Sequence, residues 1–150
     1  MSALFKTIVV GTDGSDTATE AVRQAAELAA DLGARVLIVS AYEPISDERL
    51  RETAEEVPRD LQWMINPRED VDATLHAAAS LVRERGVETQ TFARQGDPAD
   101  AILDVAEEQR AELIVVGNKG MTGAKRFLLG SVPNRVSHHA PCSVLIIRTT

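Results

Sequence analysis

Thr7-Ile8-Val9-Val10-Gly11-Thr12-Asp13-Gly14-Ser15-Asp16 decides the reading of this chain. A short β-branched run ends in a turn of small and polar residues, and a long helical pattern follows. Three apolar residues in succession, Ile8, Val9 and Val10, suit a strand buried on both faces, as in a parallel sheet covered by helices. From Thr17 to Leu32, the residues Ala21, Val22, Ala25, Ala26, Leu28, Ala29 and Leu32 recur at helical spacing. Ser15 or Asp16 caps the start of that helix, and Gly33 follows its end.

The same alternation continues through the chain. Further strands are expected at Arg35–Ser40, Val87–Phe92, Leu113–Gly117 and Ser143–Ile147. The run at 87–92 alternates with polar residues, which suits a sheet edge. Helices are expected over Arg68–Arg85, Pro98–Gln109 and from Ser131 to before Pro141. The order βαβαβαβαβ implies parallel strands joined by right-handed crossovers. The expected fold is therefore α/β: a flavodoxin-like, Rossmann-like doubly wound sheet of five parallel strands, order 3-2-1-4-5, with helices on both faces. The stretch 43–67 is long and charged, with a weak helical pattern over Asp47–Val57 and an apolar patch at Leu61–Ile65. A connection of that length reads either as a lid or partner surface or as an extra helix on the rim.

Composition bounds the function. The 150 residues predict a single domain, and 44% hydrophobic with 26% charged residues is ordinary soluble composition. No apolar run approaches the roughly 18 residues of a membrane span. The N-terminus carries no basic leader, and one cysteine forms no internal disulfide, so a cytoplasmic location is expected. The net charge of −7, from 23 acidic and 16 basic residues, argues against nucleic acid or an anionic membrane as partner. An anionic ligand would have to be held by local features.

In an open parallel sheet, ligands bind beyond the carboxyl ends of the strands where the strand order reverses. For order 3-2-1-4-5 that point lies between strands one and four. The segments leaving those two strands are also the most unusual in composition. After strand one, Gly14 and Ser15 read as a turn and a helix cap, but Asp13 places a carboxylate at the tip of a buried strand. Such a group needs partners, and a ribose hydroxyl or a metal-bound phosphate would supply them. After strand four, Gly117, Gly120, Gly123 and Gly130 fall within fourteen positions. Glycines let backbone N–H groups approach an anion, and the Gly130-Ser131 step opens a helix whose N-terminus favours phosphate. Lys119, Lys125 and Arg126 place positive charge here, although Lys125 and Arg126 read somewhat better as solvated surface.

Other motifs fail. There is no G-x-x-x-x-G-K-[ST] and no G-x-G-x-x-G after strand one. His138 and His139 are adjacent and would diverge on a helix, so they read as helix-end charge and not as a metal pair. Cys142 reads as a small core residue and Tyr42 as packing near the expected mouth. No catalytic or metal-ligating set can be assembled from spacing.

Gly117-x2-Gly120-x9-Gly130-Ser131 matches the G-2x-G-9x-G-[S/T] pattern of the ATP-binding universal stress proteins, and the chain resembles that family over essentially its whole length. The opening Ile8–Ser15 and the ending Pro141–Ile147 carry the same resemblance. It implies that Asp13 meets the ribose or a polar base edge and that Ala41 presents backbone to adenine. It also implies that Gly117, Gly120, Gly130 and Ser131 hold phosphates, with a backbone N–H from Val132. Gly11, Thr12, Val116 and Lys119 complete the candidate nucleotide-binding set. Lys119 stands where many members carry His. Ser40-Ala41-Tyr42 and Leu128–Asn134 also resemble members that bind cyclic AMP, so ATP, with or without Mg²⁺, and cyclic AMP are both implied. The family is typically homodimeric through its last strand, here Ser143–Ile147. The expected role is a nucleotide sensor or buffer; the alternative is slow ATP hydrolysis or self-phosphorylation.

Overall fold

The computed structural model describes residues 4–42, 68–118 and 131–149. Its elements are β1 (Thr7–Gly11), α1 (Asp16–Leu32), β2 (Arg35–Tyr42), α2 (Arg68–Arg83), β3 (Thr89–Gln95), α3 (Pro98–Glu108), β4 (Leu113–Gly117), α4 (Ser131–His139) and β5 (Ser143–Ile147). The five strands are all parallel and lie in the order β3-β2-β1-β4-β5, as expected. The lid-or-helix question at 43–67 falls on residues outside those described.

Strand alternation builds two cores from one sheet. On one face, Ile8, Val10, Val36, Ile38 and Val115 pack against Ala21, Val22, Ala25, Ala26 and Ala29 of α1 and Val71, Leu75 and Val82 of α2. On the other, Val9, Leu37, Val39, Ile114 and Val116 pack against Ala99, Ile102, Val105 and Ala106 of α3 and Val136 of α4. Ile8, Val9 and Val10 are all fully buried, which explains why β1 shows no polar alternation. Each such side chain contributes about 1.5–3 kcal/mol by leaving water.

The helix ends follow from local chemistry. Ser15 is extended (φ −69°, ψ 163°), and its Oγ accepts the Ala18 N–H at 3.2 Å, so Ser15 and not Asp16 is the cap of α1. Asp97 caps α3 in the same way, its Oδ1 accepting the Asp100 N–H at 3.0 Å, with Pro98 in the first turn.

One expected strand is displaced. Against the expected Val87–Phe92, β3 begins at Thr89 and continues to Gln95. Val87 is instead buried in the core beneath α1 and α2. The cause is β2, which runs on to Tyr42 and pairs Ser40, Ala41 and Tyr42 with Ala93, Arg94 and Gln95. Gly96 N–H closes the ladder on Tyr42 O at 2.8 Å. The turn after β3 is thereby carried up to the level of the β1 and β2 tips.

Candidate functional site

The crevice arises from the two cores. The chain leaves β1 toward α1 on one face, whereas α4 packs on the opposite face through Val136. The two connections diverge, and a gap opens above the adjoining ends of β1 and β4. A cavity of about 340 Å³ occupies it.

Eight of the eleven candidate residues line this cavity: Gly11, Thr12, Asp13, Ala41, Val116, Gly117, Ser131 and Val132. They come from the ends of β1, β2 and β4 and the start of α4. Lys119, Gly120 and Gly130 lie outside the described residues, as do Gly123, Lys125 and Arg126.

Each wall has a physical origin. At the tip of β1, Thr12 N–H still pairs with Val39 O at 2.9 Å, and Thr12 Oγ1 accepts the Gly14 N–H at 3.1 Å. Asp13 Oδ1 accepts the Ser15 N–H at 2.9 Å, which folds the turn into α1. Part of the carboxylate's hydrogen bonding is therefore structural. Gly14 adopts φ +84°, and a Cβ there would lie 3.0 Å from Thr74 Oγ1, so both backbone and space favour glycine. Gly11 is favoured on space alone: a Cβ there would run into Ile102 Cδ1, and that side chain would have to shift.

Sequence reading missed the wall from the β3–α3 turn. Gly96, Asp97, Pro98 and Ile102 line the cavity, together with Val39, Ser40, Pro133 and the start of α1. The signal available was the strand order itself, which sets the end of β3 beside that of β2. Among the described lining residues, the acids are Asp13 and Asp97, and no Lys, Arg or His is present. Behind this wall, Arg135 of α4 reaches Asp100 Oδ1 at 2.8 Å and Asp97 Oδ1 at 3.9 Å, joining α4 to α3 at the rim. With about half of each side chain exposed, the pair adds little stability.

Ser40 is 2% exposed, and its Oγ is buried without a hydrogen-bond partner among the described residues. A buried unsatisfied hydroxyl costs about 1–3 kcal/mol. Ser40→Ala is therefore expected to leave stability unchanged or raise it by about 1 kcal/mol. Urea denaturation checks this; a clear loss of stability would show that the hydroxyl is satisfied in solution.

Tyr42 also lines the cavity, whereas His138, His139 and Cys142 do not. His138 and His139 occupy the last turn of α4, where cations complement the helix dipole. Cys142 is half-buried at the start of β5; burial pushes its thiol pKa up, with the Glu112 carboxylate adding to the effect. No group of His, Cys, Asp and Glu among the described residues is arranged to hold a metal. No helix among them is long and apolar enough to cross a membrane.

A parallel α/β sheet in this order, with a cleft at its switch point, defines the class: a doubly wound protein with a crevice at its strand tips. Within that class, the chain belongs to the universal stress protein family, whose model matches residues 4–148. A universal stress protein of Mycobacterium tuberculosis is 39% identical over 153 residues, covering 100% of both chains. One from Methanocaldococcus jannaschii is 35% identical over 148 residues, covering 97% of this chain and 83% of its own length. Among solved structures, a universal stress protein in complex with cAMP superposes with TM-score 0.75 at 33% identity, over 99% of this chain and 100% of that one. The universal stress protein from Archaeoglobus fulgidus in complex with dAMP gives 0.66 at 29% identity, over 97% and 99%.

Proposed function

We propose that this chain is a cytoplasmic universal stress protein domain that binds an adenine nucleotide, ATP or cyclic AMP, as a sensor or buffer without efficient turnover. One observation carries the reading. Asp13, Ala41, Gly117 and Ser131 are far apart in sequence, yet line one cavity at the switch point. The similar proteins solved with cAMP and dAMP support the same ligand class.

The walls suit the parts of such a ligand. Val39, Ala41, Ile102, Val116, Val132 and Pro133 offer an apolar slot for a planar base. Asp13 offers a charged acceptor to ribose hydroxyls, and the start of α4 at Ser131 offers N–H groups to phosphate. Free ATP carries more negative charge than the singly charged cyclic phosphodiester, and the described wall includes the acids Asp13 and Asp97. Mg²⁺, when bound to ATP, would lower that charge and ease its repulsion from Asp13 and Asp97. Pairing of β5 across a two-fold axis would cover Leu145 and Ile146, which are 39% and 37% exposed, and make the homodimer.

Thermal denaturation tests the binding reading. At 100 times its dissociation constant, a native-state ligand stabilises by about 2.7 kcal/mol. For a domain of this size that corresponds to a rise of about 5 °C or more. Saturable stabilisation is expected with cyclic AMP or with ATP and Mg²⁺. No shift with either at millimolar concentration defeats the proposal, and rapid phosphate release from ATP would replace it with a phosphoryl-transfer enzyme.

A further inference from the structure

The segment that follows β5 is tied to the nucleotide cavity. β4 and β5 pair through Gly117↔Ile147, and Asn118 N–H continues the ladder by donating to Ile147 O at 2.9 Å. Beyond that rung the Asn118 side chain turns back. Its Oδ1 accepts both the Thr149 N–H at 2.8 Å and the Thr149 Oγ1–H at 3.0 Å. Thr149 also backs onto Gly117: a Cβ on that glycine would lie 3.4 Å from Thr149 Cγ2 and 3.7 Å from Ala21 Cβ. Gly117 lines the cavity, so Thr149 and Ala21 stand behind a cavity wall.

We propose that Thr149 is a positioning residue for nucleotide binding, acting through Asn118 and Gly117 to fix the backbone where the chain leaves β4. The inference rests on the nucleotide reading above and adds to it a residue that lines no part of the cavity. The chemistry is simple. Backbone N–H groups recognise an anion only if their directions are fixed beforehand, because ordering them during binding subtracts from affinity. Gly117 has no side chain with which to hold itself. The carboxamide of Asn118, gripped twice by Thr149, does this for it. The grip comes from the segment attached to β5, so a change along that edge strand reaches the cavity through two hydrogen bonds.

The test is calorimetric titration of the full chain with cyclic AMP and with ATP and Mg²⁺, comparing wild type, Thr149→Val and Thr149→Ser. Valine keeps the shape and the backbone N–H but removes the hydroxyl bond. Affinity is expected to fall about fivefold for Thr149→Val and to return to within about twofold of wild type for Thr149→Ser. In an Asn118→Ala background, Thr149→Val is expected to have no further effect, since the two act as one unit. Wild-type affinity in Thr149→Val overturns the proposal. So does equal weakening by Val and Ser, which would trace the effect to packing on Gly117, and so does additivity in the double variant. Wild-type protein that binds neither probe overturns the nucleotide reading itself, an outcome distinct from all of these.

Discussion

Truncation of Ile102 to alanine is expected to lower folding stability by about 2–5 kcal/mol and the melting temperature by roughly 5–15 °C. Ile102 is 4% exposed on the inner side of α3, within the core formed by Val9, Leu37 and Ile114. Removing three carbons forfeits their transfer free energy and leaves a void that rigid strands cannot collapse to fill. The void would open directly onto Gly11, because Ile102 Cδ1 fills the space that a Cβ on that glycine would need. This makes a second outcome expected. Gly11→Ala alone must displace the end of the Ile102 side chain. In the Ile102→Ala background the same methyl finds space, so the double variant is expected to be more stable than Ile102→Ala alone. Urea denaturation of the four proteins completes the cycle. A loss below about 1 kcal/mol for Ile102→Ala, or strictly additive effects, would show that the two residues do not share this contact.

Ile102 also shows where sequence reading stopped. It was legible as an apolar position on a helix, and its burial followed from that. That it forms the cavity wall beside Gly11 depends on which strand α3 crosses, and periodicity along one helix carries no such information. The strands β1, β4 and β5 were legible to their ends because uninterrupted β-branched runs between turn residues have few alternatives. β3 was not. As an edge strand it keeps exposed polar residues such as Gln90 and Thr91, so its limits are set by pairing with β2 and not by its own composition. The displacement hid a functional consequence: extending β3 to Gln95 lifts Gly96-Asp97-Pro98 into the cavity wall. By contrast, the convergence of Asp13 with Gly117 and Ser131 was legible, because strand order alone brings the ends of β1 and β4 together. The structural share of Asp13 was not, since the bond to the Ser15 N–H depends on the turn conformation.

That double duty of Asp13 determines how it must be tested. Asp13→Ala is expected to weaken cyclic AMP binding by about 10–150-fold, the loss of a hydrogen bond to a charged acceptor. It also removes the acceptor for the Ser15 N–H, held at 2.9 Å, and loosens the entry to α1. Asp13→Asn separates the two roles. The carboxamide oxygen still accepts the Ser15 N–H, so stability is expected to stay within about 0.5 kcal/mol of wild type. The charge is gone, and a neutral acceptor is roughly half as strong as an ionised one. Cyclic AMP affinity is then expected to lie between those of wild type and Asp13→Ala. The response to ATP without Mg²⁺ carries the opposite sign if the acid faces phosphate, because removing one of the two lining carboxylates relieves repulsion of the triphosphate. Weaker cyclic AMP binding by Asp13→Asn at unchanged stability places the carboxylate against the sugar. Tighter ATP binding with cyclic AMP unaffected places it against phosphate and overturns the assignment.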